Sequence, residues 1–120
     1  MILIVEDDKN ISKLVKYNLD KAGFEPESAT TGESALAIID KEPIELVILD
    51  IMLPKMDGYE VLKALKADEK TKAIPVILLT NLSQKDEVKQ GMTLGAEDYL
   101  IKAHFMPSEV VKKIKDVVKK

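Results

Sequence analysis

The chain has 120 residues, 21 acidic against 18 basic, for a formal net charge of −3, and every basic residue is a lysine. That length fits a single domain, residues 1–120, able to bury a core without staples, and the absence of cysteine excludes disulfides, thiolate metal sites and cysteine nucleophiles. An acidic balance with no arginine argues against direct nucleic-acid binding, which needs a basic surface and favours the guanidinium fork.

Two patterns alternate along the chain. Ile2 to Val5 is an unbroken apolar run, as are Leu46 to Leu49, Val76 to Leu79 and Tyr99 to Ile101. Such runs read as strands buried on both faces, the mark of a parallel sheet. Glu25 to Ala29 is a weaker candidate, and Pro26 consigns it to an edge. Helix-period stripes fill the intervals: Ile11, Leu14, Val15 and Leu19; then Ala35, Ile38 and Ile39; then Val61, Leu62 and Leu65, opened by Asp57 and Gly58. A poorer stripe joins Val88, Met92 and Leu94, and the last runs from Pro107 and Ser108 through Val110, Val111, Ile114, Val117 and Val118. Gly23 and Gly95 suit the positions just past helix ends.

The sum is (βα)5, an α/β domain. Right-handed crossovers put helices on both faces of a doubly wound, flavodoxin-like five-stranded parallel sheet of order 2-1-3-4-5. The apolar runs reach only four or five residues, against about 20 for a membrane span. The first run begins at Met1 with no basic leader before it, so a soluble cytoplasmic protein is expected.

Ligands of such sheets bind beyond the carboxyl ends of the strands. Here those ends carry Glu6, Asp7 and Asp8 after the first strand, Asp50 after the third, Thr80 after the fourth and Lys102 after the fifth. Several carboxylates on one rim repel one another unless a cation offsets them. Oxygen ligands without His or Cys suit a hard ion, Mg²⁺ first. A lysine and a threonine facing the same point can hold phosphoryl oxygens, so the assembled chemistry is metal-assisted phosphoryl transfer to a carboxylate.

The motifs are Ile2-Leu-Ile-Val-Glu-Asp-Asp8, Leu49-Asp-Ile-Met-Leu-Pro-Lys-Met-Asp-Gly58, Ile77-Leu-Leu-Thr80 and Gly95-Ala-Glu-Asp-Tyr-Leu-Ile-Lys102, with intervals of 43 from Asp7 to Asp50, 30 to Thr80 and 22 to Lys102. With them the chain resembles, over essentially its whole length, the receiver domains of two-component response regulators, the chemotaxis-type single-domain regulators included. The resemblance implies that Asp50 accepts a phosphoryl group from a phosphohistidine on a histidine kinase or phosphotransfer domain. It implies Mg²⁺ (or Mn²⁺) on Asp7, Asp50 and the Met52 backbone carbonyl, with Glu6 supporting the ion. Lys102 pairs with Asp50 and then with the phosphoryl group, and Thr80 turns its hydroxyl toward that group. Tyr99 changes rotamer with Thr80 and reshapes the face of the fourth helix, fifth strand and fifth helix, which a downstream protein or an output domain reads. Pro54 and Gly58 shape the loop after the third strand. The module modifies itself without enzymatic turnover.

Four positions stand out against the usual receiver pattern. Ala103 follows Lys102 where proline is common, Asn81 follows Thr80 where a small residue is common, and Met52 and Leu82 occupy positions that tune hydrolysis of the acyl phosphate. Asp8 and Asp57 read as helix N-caps, His104 as an exposed loop residue, and the lysines of the last helix as a solvated face. A haloacid dehalogenase-type phosphatase would want an aspartate at Met52. A flavodoxin-like nucleotide binder would want a Gly/Ser/Thr-rich loop in place of Glu6, Asp7 and Asp8.

Overall fold

The computed structural model describes residues 1–53, 57–80, 85–101 and 107–118. Five strands alternate with five helices: β1 Ile2–Val5, α1 Lys9–Lys21, β2 Pro26–Ala29, α2 Gly32–Lys41, β3 Leu46–Asp50, α3 Gly58–Ala67, β4 Val76–Thr80, α4 Lys85–Thr93, β5 Asp98–Ile101 and α5 Pro107–Val118. All strand pairs are parallel and the order is β2-β1-β3-β4-β5, as expected from the sequence. Pro26 opens β2 at one edge of the sheet, where a missing N–H is tolerated.

The alternation of side chains along each strand divides the core in two. Leu3, Val5, Val47, Leu49, Val76 and Leu78 pack with residues of α2 and α3 such as Ala35, Ile39, Leu62 and Leu65. Ile2, Ile4, Leu46, Ile48, Ile77, Leu79 and Leu100 face the other way, against Val15 and Leu19 of α1 and Val110 and Ile114 of α5. The central strands β1, β3 and β4 are fully buried, which is why they read as unbroken apolar runs.

Helix ends follow their capping chemistry. Asp8 accepts from the Asn10 and Ile11 N–H groups and Asp57 from that of Glu60, so both act as N-caps. Past α1 and α4, Gly23 and Gly95 adopt φ of 91° and 113°. The Phe24 N–H reaches the Leu19 carbonyl and the Ala96 N–H that of Gly91, which closes both helices as Schellman motifs.

Two helical stripes differ from expectation. In α1, Leu14 is 44% exposed while Ser12 turns inward. In α4, Met92 is exposed and the residue against the sheet is Gly91. A Cβ at position 91 would run into Leu78 Cδ1 and lie 3.7 Å from the Tyr59 ring. The inward position of α4 therefore carries no side chain, and a hydrophobic period has nothing to register there.

Tyr59 links α3 to α4. Its hydroxyl donates to the Glu87 carbonyl at 2.7 Å. Burial, then the charges of Glu87 and Asp57, raise its pKa above the ordinary 10.0. The folded chain thus holds that proton more tightly than the unfolded one. The contribution is intact below about pH 10 and is lost as pH rises through the folded value. Tyr59→Phe should cost about 0.5–1.5 kcal/mol near neutrality. In urea unfolding from pH 8 to 11, the gap between wild type and variant should narrow as pH rises.

Candidate functional site

The pairing of β1 with β3 builds the site. Val5 lies opposite Leu49, so the residues that follow, Glu6 and Asp50, emerge side by side at the carboxyl edge. Oxygens of Glu6, Asp7 and Asp50 all lie within 4.8 Å of one another. Glu6 is fully buried, Asp50 is 2% exposed, and Asp7 is the exposed member. Two unit charges 4 Å apart repel by about 4 kcal/mol at an effective dielectric near 20. Like charge this close is costly unless a neighbouring positive charge offsets it.

Backbone donors orient two of the three. The Asp8 N–H donates to Glu6 Oε2 at 3.1 Å, and the Met52 N–H to Asp50 Oδ1 at 3.1 Å. Asp8 itself faces the helix, as its cap, and stands outside the acidic trio. Met52 is 59% exposed on the loop immediately beyond Asp50.

The loop after β3 returns tightly onto the strand. The Gly58 N–H donates to the Ile51 carbonyl at 2.9 Å. A Cβ on Gly58 would fall on the Asp50 carbonyl oxygen and within 2.7 Å of Ile51 Cα. Both are backbone atoms that cannot yield, so glycine is required for α3 to start this close to Asp50.

Thr80 ends β4 and is 2% exposed. Asp50 pairs with Leu79, which places Thr80 one residue beyond the Asp50 level; Thr80 pairs in turn with Ile101 of β5. The expected Lys102 follows directly, but Lys102, Asn81, Leu82, Pro54, Ala103 and His104 lie outside the described residues.

Tyr99, the other expected switch residue, is 37% exposed on β5. It pairs with Leu78 and so shares a sheet face with Leu78 and Thr80. Reading the sequence did not single out its neighbours. Lys113 of α5 donates to the Tyr99 carbonyl at 2.6 Å and to Asp98 Oδ1 at 3.1 Å, and its ammonium stands 5.1 Å from the Tyr99 ring centre. These partners are 14 and 15 residues from Lys113 on another element, a spacing that no local pattern reveals.

The donor set is chemically uniform. Three carboxylates and the nearby backbone offer only oxygen, which fits a hard divalent cation such as Mg²⁺. A nearly buried carboxylate beside such an ion, with a hydroxyl one strand away, suits the reception of a phosphoryl group.

Comparison with known proteins agrees with this geometry. The family model described as the response regulator receiver domain matches residues 2–115. The alkaline phosphatase synthesis transcriptional regulatory protein PhoP of Bacillus subtilis is 37% identical over 99% of this chain. The match takes in 48% of PhoP, so the chain spans about half the length of such curated relatives. The crystal structure of the chemotaxis response regulator CheY4 of Vibrio cholerae superposes with a TM-score of 0.89 at 32% identity, over 97% of this chain and 96% of that one. The BeF3-activated DrrB receiver domain gives 0.87 at 37% identity, over 99% and 97%. Fold, acidic rim and sequence relationship converge, and the chain belongs to the receiver-domain family of two-component response regulators.

Proposed function

We propose that the chain is a phosphorylation-driven switch in which Asp50 is the acceptor. The observation that carries this reading is the trio of Glu6, Asp7 and nearly buried Asp50 at the ends of β1 and β3. An Asp50 carboxylate oxygen attacks the phosphorus of a phosphohistidine on a histidine kinase or phosphotransfer domain. The P–N bond breaks, the imidazole leaves with its bonding electron pair, and a mixed anhydride forms on Asp50. Water later cleaves the anhydride, returning the carboxylate and releasing phosphate. The chain is itself the phosphoryl acceptor and its modified form is the signal, so it acts as a self-modifying module more than as an enzyme with turnover.

Asp7, Asp50 and the Met52 backbone carbonyl would hold Mg²⁺ or Mn²⁺, with Glu6 supporting the ion through water. Bound there, the cation neutralises the carboxylates and the phosphoryl oxygens. Lys102 offers a second positive charge to the phosphoryl group, and Thr80 offers its hydroxyl. Movement of Thr80 and Tyr99 then alters the surface of α4, β5 and α5, which a downstream protein or an output domain reads. This domain, acidic overall and without arginine, is not assigned direct nucleic-acid binding. No helix among the described residues is long and apolar enough to cross a membrane, and the kinase partnership carries a cytoplasmic location.

Treatment with a small phosphodonor should add one phosphoryl group, as read by intact mass, only when Mg²⁺ is present. Asp50→Asn should abolish that adduct; an equal labelling rate in the variant would sink the assignment. Removing one carboxylate of the trio should also weaken the cation site. The gain in Tm on adding Mg²⁺ should be smaller in Asp50→Asn than in wild type. Met52, exposed beside Asp50, and Leu82, the second residue after Thr80 in sequence, are both apolar, and on this reading they shield the acyl phosphate from water and lengthen the life of the phosphorylated state. Decay of the acyl phosphate should quicken in both Met52→Asn and Leu82→Glu, and unchanged or slower decay in the two would refute the shielding role.

A further inference from the structure

We propose that Lys113 is a positioning residue: it holds the Tyr99 ring in its outward orientation and so biases the domain toward its unphosphorylated state. The inference rests on the reading that Tyr99 moves when Asp50 is phosphorylated.

The geometry separates fixed contacts from one that depends on state. β5 is the edge of the sheet, so its outer carbonyls face no neighbouring strand. Lys113 lies on α5, which packs on the sheet face opposite to Tyr99, and its side chain reaches around that edge. The Tyr99 carbonyl accepts its ammonium at 2.6 Å and Asp98 Oδ1 at 3.1 Å. Asp98 is held in turn by the Tyr99 N–H, which donates to the same oxygen at 2.7 Å. Backbone and carboxylate therefore fix the cation whatever the Tyr99 side chain does. The third contact, 5.1 Å from ammonium to ring centre, exists only while the ring is outward. Rotating the ring inward leaves the cation in place and forfeits that attraction. The cost falls on the phosphorylated state alone, which is what a bias requires.

The test uses the whole chain with Mg²⁺ and beryllofluoride as the phosphoryl mimic, labelled with 3-fluorotyrosine and read by ¹⁹F NMR. Lys113→Met keeps the apolar stem and removes the charge. It should raise the apparent affinity for beryllofluoride about two- to fivefold, the range of an exposed cation–ring contact. The resting Tyr99 resonance should move toward its beryllofluoride-bound position. Lys113→Arg should restore wild-type behaviour. In a Tyr99→Leu background, Lys113→Met should change nothing further. Asp98→Asn, which loosens one anchor, should act in the same direction more weakly and serves as the test if Lys113→Met does not fold. An unmoved Tyr99 resonance with wild-type affinity in Lys113→Met, or an equal gain in the Tyr99→Leu background, would overturn the proposal while leaving the phosphoacceptor reading standing. A wild-type Tyr99 resonance that ignores beryllofluoride, despite saturation at Asp50, would overturn both the moving-tyrosine reading and the role of Lys113.

Discussion

The parallel pairing of β1 with β3 is the constraint on which everything else in this domain depends. Three carboxylates that would separate in water are kept within 4.8 Å because the strands beneath them are locked in register by fully buried side chains. A one-residue slip would hand every side chain of one core layer to the other, so the two packed layers forbid the slip and hold the acids together. So much negative charge at one strand edge is the kind of site that a divalent cation would favour.

Around that fixed centre, the other parts differ in how firmly they are held. Gly58 clamps the start of α3 against the backbone of Asp50 and Ile51. Tyr59, the next residue, carries that position across to the first turn of α4 through the Glu87 carbonyl. On the far side of β4, Tyr99 is secured from outside the sheet by a lysine of α5. Rigid backbone contact near the acids thus gives way to side-chain contact at the edge, where rearrangement is cheapest.

Much of this was legible in the amino-acid order, for physical reasons. Strands buried on both faces cannot hide their apolar runs, so β1, β3 and β4 and the rim beyond them followed from the pattern, and Pro26 identified the edge strand. The caps at Asp8 and Asp57 and the turns at Gly23 and Gly95 followed from local chemistry. What failed was periodicity where packing used no side chain. The inward residue of α4 is Gly91, and Met92 and Leu14, which complete helical stripes on paper, lie exposed. The Lys113 contacts were invisible because they join two elements around the sheet edge. Lys102, read from the end of the fifth strand, and Asn81 and Leu82, which follow Thr80, lie outside the described residues.

With Asp50 as the proposed acceptor, its 2% exposure constrains the shape of any phosphoryl donor. A carboxylate set below the rim is reached only by a group on a projecting tip, slender enough to enter end-on. A small inorganic or acyl donor satisfies that requirement, and so does a phosphorylated ring standing out from a helix. A phosphate enclosed in another protein's cleft does not. The depth of one side chain thereby acts as a gauge, admitting donors by profile before any surface complementarity is consulted.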